Sequence, residues 1–136
     1  MKKTISVILV LVILCASLPA SVQAAQPDEI TPRYVTTNDA RTRLSINSAG
    51  NATVCISFLG DAGVTEVSVT TYLEQLIGST WYRARVNPWS YSANGSCCAA
   101  TFSGHVNNSG TYRARSIFTI SGTTIETFTV ISECTY

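Results

Sequence analysis

The sequence predicts an all-β fold, an antiparallel sandwich of two sheets, and three observations carry that expectation. Thr and Ser are abundant while Val, Ile, Tyr and Phe recur through residues 41 to 136, a composition that suits pleated, half-buried surface. Apolar residues alternate with polar ones, so successive side chains fall on opposite faces of a strand. Polar and Gly-containing turn clusters interrupt the alternation about every ten residues, the spacing of short antiparallel strands. No stretch after residue 24 shows the 3.6-residue period of a helix.

The first 24 residues read as a secretory signal. Lys2 and Lys3 precede an apolar run from Ile5 to Leu14, and Val22-Gln23-Ala24 supplies small residues for cleavage. Cys15 follows Leu14, where a lipid-attachment signal needs a small residue, so it is read as part of the signal. Cleavage after Ala24 leaves 112 of the 136 residues, enough for one core. It also removes both lysines, leaving seven arginines against eight carboxylates and a net charge near −1. Such a domain has no global field to draw it to nucleic acid. No later apolar run approaches the ~20 residues that span a bilayer, so no stable membrane insertion is expected after cleavage. The expected location is extracellular, with possible partners in cell-envelope polymers or secreted proteins.

Residues 25 to 40, polar and holding Pro27 and Pro32, read as a flexible leader, and residues 41 to 136 as the sandwich domain. Arg41 to Asn47 is a weak strand with Leu44 and Ile46. Asn51 to Leu59 points Val54, Ile56 and Phe58 inward and ends at Gly60-Asp61-Ala62-Gly63. Val64 to Leu76 sets Val67, Val69, Thr71 and Leu73 against Glu66, Ser68, Thr70 and Tyr72. A Gly78-containing turn leads to Trp81 to Val86, stopped by Asn87-Pro88. Trp89 to Ser96 reads as a looser connection. Cys97 to Val106 follows, with Cys98, Ala100, Phe102 and Val106 on one parity. Thr111 to Ile120 alternates strictly, with Tyr112, Ala114, Ser116, Phe118 and Ile120 on its apolar side. Thr124 to Cys134 closes the domain with Phe128 and Val130 inward. About seven strands in this length indicate an immunoglobulin-like arrangement.

Two resemblances fit this reading. Ser109-Gly110-Thr111-Tyr112 resembles the approach to the sixth strand of immunoglobulin-like domains, which implies that the Tyr112 hydroxyl bonds to upstream backbone. Position 114 is Ala where that family has its inter-sheet Cys. From about residue 44 to the end, the order of features, the signal, Ala52-Thr53-Val54, Val64-Thr65-Glu66-Val67-Ser68-Val69 with Leu73, Trp81, Gly110-Thr111-Tyr112-Arg113 and Glu126, is similar to an uncharacterised family of small secreted proteins of Gram-positive bacteria. That likeness implies fold and export, and no site.

Export places Cys55, Cys97, Cys98 and Cys134 in an oxidising compartment, so two disulfides are expected. Neighbouring side chains on a strand point to opposite faces, so Cys97 and Cys98 should serve different partners. Cys98 shares the parity of Phe102, and Cys134 that of Phe128, which favours Cys98 with Cys134 and, by remainder, Cys55 with Cys97. Closing loops of about 40 residues would contribute about 4 kcal/mol each. A vicinal redox pair strains the peptide, and a metal site lacks ligand-spaced partners, so neither is favoured; no cofactor is expected.

Two surfaces are candidates for binding. Tyr82-Arg83-Ala84-Arg85 and Tyr112-Arg113-Ala114-Arg115 repeat one tetrapeptide, and Arg at i and i+2 project from one face of a strand. Side by side, Arg83, Arg85, Arg113 and Arg115 would form a patch for phosphate or carboxylate groups. The blander reading pairs them with Glu66, Glu74, Glu126 or Glu133 across strands. Trp89 and Tyr91 form the second candidate, as loop aromatics for a ligand, although such residues more often cap a core. Trp81 alternates with Arg83, but a bulge would tuck it inward, and the core is the expected place. His105 has neither a nucleophile nor an orienting partner in sequence, so no catalysis is expected. The sequence reads as a secreted binding module; the alternative is a secreted effector such as a bacteriocin-like antagonist or a protease inhibitor.

Overall fold

The computed structural model describes residues 36–136. The proposed signal and most of the leader lie outside these residues. Eight strands follow in order: β1 (Thr37–Ile46), β2 (Asn51–Gly60), β3 (Val64–Ile77), β4 (Thr80–Arg83), β5 (Trp89–Asn94), β6 (Cys97–His105), β7 (Thr111–Gly122) and β8 (Glu126–Thr135). All pairings are antiparallel. One sheet has the order β1-β2-β6, and the other β4-β3-β7-β8 with β5 also on β3. No helix occurs among the described residues. The fold is the expected antiparallel sandwich.

Alternation builds the core. β2 turns Ala52, Val54, Ile56 and Phe58 inward, β3 contributes Val67, Val69 and Leu73, and β7 Tyr112, Ala114, Phe118 and Ile120. Phe118 lies between Phe58, at 6.3 Å, and Phe128, at 5.3 Å and nearly parallel. Where polar side chains enter this layer they satisfy each other: the buried hydroxyls of Thr71 and Ser116, partners in the β3–β7 register, are 2.8 Å apart. The Tyr112 hydroxyl donates to the Asn108 carbonyl at 2.6 Å, fixing the loop before β7 as the immunoglobulin-like resemblance implies.

Three elements depart from expectation. β1 begins at Thr37, so the last residues assigned to the leader belong to the sheet. Their anchor is a seam with β8: Ser132 Oγ accepts from the Leu44 amide at 3.0 Å, and Glu126 Oε1 from the Thr36 amide at 3.2 Å. β4 is shorter than expected, ending at Arg83. The segment from Trp89, expected to be a connection, is strand β5, which pairs with the first half of β3 while β4 pairs with the second half. Residues 84–88 carry the chain past this join, so one edge of β3 serves two short strands.

Candidate functional site

β3 explains where the two Tyr-Arg-Ala-Arg repeats meet. It runs between β4 and β7, and Glu74 near its C-terminal end is the register partner of Arg83 on one side and of Arg113 on the other. Arg113 Nε donates to Glu74 Oε2 at 2.6 Å, and Arg115 Nη2 to Oε1 at 3.0 Å. Glu74 is thereby buried on the outer face of a sheet, at 6% exposure. Lost hydration pushes its carboxyl up, but hydrogen bonds from Arg115 and Arg113, with their charges, act the other way, and the net shift is downward.

Aromatic rings extend this pairing into a ladder. Arg113 lies over the Trp81 ring at 4.3 Å; Arg115 and Arg83 lie over Tyr72 at 4.6 and 4.8 Å. Planar guanidinium groups stack on ring faces while their edges keep N–H donors free. The contacts therefore run Trp81, Arg113, Glu74, Arg115, Tyr72, Arg83, and the series folds back so that Arg83 stands opposite Glu74 in the register. Glu74 accepts from the Arg113 Nε and from the Arg115 Nε and Nη2. Arg83 stacks on Tyr72 and makes no salt bridge among the described residues. Three cations against Glu74 leave this group net positive, with Glu133 opposite Arg113 on β8 as the nearest further carboxylate in the register.

The four-arginine patch is thus only partly realised. Arg83, Arg113 and Arg115 share a face, but Glu74 engages two of them, which is the cross-strand pairing weighed against the patch. Arg85 is absent from it. Its Nη1 donates to the Asn87 carbonyl at 2.6 Å, and its guanidinium lies over Trp89 at 4.8 Å. Trp81 is corrected as well: no bulge intervenes, so the strand holds it on the outer face opposite Leu76. Alternation alone placed it correctly.

The aromatic surface is spent on packing. Trp89 stacks on Phe102 with centroids 5.6 Å apart and planes 4° apart, and both Trp89 and Tyr91 pack against the core from β5. A side chain at Gly104 would begin 3.0 Å from the Trp89 ring, so this glycine makes room for it.

The disulfide framework is also corrected, because all four cysteines carry free thiols. Parity was read correctly, since Cys98 and Cys134 both pack against the core; position along the strands defeats the pairing. Cys98 opposes Phe58, at the end where Gly60 bonds to Ser96, whereas Cys134 opposes Tyr112 at the other end of β7. Cys55 opposes Thr101 and Cys97 opposes Leu59, four positions or about 13 Å apart. A bridge needs Cα atoms about 6 Å apart. Burial pushes the Cys98 thiol up, and the adjacent Cys97 adds to the shift.

His105 Nδ1 contacts Asn51 Oδ1 at 3.3 Å. No group of three or more His, Cys, Asp or Glu side chains among the described residues is arranged to hold a metal ion. The element sequence reasoning undervalued is Glu74, one of four acidic candidates. The two identical Tyr-Arg-Ala-Arg segments were visible, but which carboxylate of β3 stands between them is set by the strand order β4-β3-β7 and its register.

No protein-family model and no curated protein matches the sequence. Among solved structures, the chain is similar to the CARDB domain of a Pyrococcus furiosus protein in complex with di-metal ions, at 19% identity over 79% of this chain and 98% of that one. The TM-score is 0.36, and at that level the likeness carries no argument about what this chain does.

Proposed function

We propose that the domain is an exported binding module that holds an anionic polymer of the cell envelope on the outer face of its five-stranded sheet. The observation that supports this is the ladder around Glu74. Three guanidinium groups are held in place by rings and one shared carboxylate, so little side-chain entropy remains to be lost when an anion docks. Arg83, at the end of the ladder, is free of salt bridges among the described residues and presents its fork of donors to phosphate or carboxylate groups. The rings are covered by guanidinium groups, which favours anion pairing over stacking on uncharged sugars.

Purified Gram-positive cell walls provide the probe. The protein should be retained at low salt, released as salt is raised, and retained less when Arg83→Ala removes the free guanidinium. Arg43→Gln, on the other sheet, should leave retention unchanged. Equal retention of wild type and Arg83→Ala would reject this face. Growth inhibition of related bacteria without retention on walls would favour the antagonist reading instead.

A further inference from the structure

The two sides of the sandwich are finished differently. β1 and β8 are stitched by the Leu44–Ser132 and Thr36–Glu126 hydrogen bonds, whereas β6 ends the β1-β2-β6 sheet with no strand on its far edge. The phase of the ladder tells which groups are left over. Gly60 N donates to the Ser96 carbonyl at 2.7 Å and Val106 N to the Gly50 carbonyl at 2.9 Å, so the even-numbered residues of β6 bond to β2. The same phase turns the amide of Leu44, opposite Val54, away from β2, as its bond to Ser132 requires. Cys97, Ala99, Thr101, Ser103 and His105 therefore point their N–H and C=O groups off the free edge, and all five are exposed. A long edge strand is ordinarily guarded by Lys, Pro or a bulge. β6 holds no Lys, Arg, Asp, Glu or Pro. Its register with β2 runs unbroken from Asn51–His105 to Leu59–Cys97, unlike the β1–β2 and β3–β7 registers, which both shift. β4 and β5 also have open edges, but they span four and six residues against nine in β6. The inner face is not sealed here either, since no residue of β5 or β6 is buried.

We propose that this edge pairs with the β6 edge of a second copy of the chain, antiparallel about a two-fold axis at Thr101, so that two three-stranded sheets become one of six strands. Thr101 is the midpoint of β6, and this register therefore uses the whole strand. Thr101 faces its own copy, Ala99 faces Ser103 and Cys97 faces His105, so every outward-pointing N–H and C=O group meets a partner. No like charges are brought together. On the inner side Phe102 falls opposite Ala100 and Cys98 opposite Gly104, a larger side chain against a smaller one each time. An unrelated extended peptide would find the same backbone groups, but this side-chain match is to β6 itself. The contact is isologous and closes at two copies, leaving no β6 edge for a third. The axis stands perpendicular to the joined sheet, so both five-stranded sheets lie on the same side of it and their Glu74 ladders face one way. If the ladder is the binding face proposed above, one polymer is then held at two points, which raises retention without any new contact.

The test uses no polymer and is run in reductant, so that neither wall binding nor covalent linkage of the exposed cysteines enters the result. Amide exchange of the wild-type protein is followed by NMR as its concentration is raised from about 50 µM to about 1 mM. Exchange at Cys97, Ala99, Thr101 and Ser103 should slow about fivefold, while the even-numbered amides of β6, already bonded to β2, should not change. Thr101→Lys and Thr101→Glu each set like charges across the axis and should sediment as monomers, and an equal mixture of the two should restore the dimer by pairing Lys with Glu. Exchange in β6 that is the same at every concentration would overturn the proposal, as would slowing confined to other strands. That arm involves no substitution, so it decides the matter even where a variant unfolds. A dimer that persists in either charge variant would overturn the proposal too, and so would a mixture of folded variants that stays monomeric.

Discussion

Glu74 and Arg113, partners across β3 and β7, form a 2.6 Å hydrogen-bonded ion pair on the outer face of a sheet, where water would ordinarily weaken it. Trp81 covers Arg113, and Arg115 closes the other side of the carboxylate, so the pair is shielded. Glu74→Gln leaves two arginines around a neutral amide and should cost about 2 kcal/mol at neutral pH, measured by urea unfolding. The folded-state pKa of Glu74 is depressed, so its contribution is present above its ordinary value of 4.5 and is lost as pH falls through the lower folded value. The gap between wild type and Glu74→Gln should therefore narrow in acid. A gap that widens there would contradict the assignment.

Tyr112→Phe deletes the hydroxyl that donates to the Asn108 carbonyl and leaves the buried ring in place. The expected loss is about 1 to 2 kcal/mol of unfolding free energy. Amide exchange in residues 107–110 should quicken at the same time. No change in either would mean that the hydroxyl does not hold this loop.

Trp89→Ala removes the ring that stacks on Phe102 and occupies the space left by Gly104. A loss of about 3 to 5 kcal/mol is expected. Wall retention of the fraction that remains folded should match wild type, because Trp89 packs against the core and not on the proposed binding face. Selective loss of retention with stability intact would reverse that placement.

Cys55, Cys97, Cys98 and Cys134 should all alkylate in the denatured protein without prior reduction. Reductant should leave the thermal midpoint unchanged. Two disulfides closing loops of about 40 residues would contribute about 4 kcal/mol each, and reduction would then lower the midpoint by tens of degrees.

What the sequence made legible follows from the range of each signal. Alternation is local, so the inward faces of β2, β3, β7 and β8 were readable from Val54, Val67, Phe118 and Phe128, and even Trp81 obeyed it. Strand neighbours are set by long-range closure that no local pattern records. That is why Cys98 and Cys134 both faced the core, from different sheets, yet lay at opposite ends of it, and why Trp89, read as a loop aromatic, proved to be strand. The two arginine repeats were visible; that Glu74 stands between them depends on β3 separating β4 from β7. Ser132 reaching back to Leu44 is a contact across 88 positions and had no sequence signature.

The proposed binding face is tested most directly by following backbone amide and arginine Nε–H resonances while the protein is titrated with inorganic polyphosphate. The account predicts that the largest shifts fall on Arg83, Arg113, Arg115 and their neighbours in β3, β4 and β7, and that they fade as salt is added. Shifts confined to β1, β2 and β6, or none on Arg83, would contradict it.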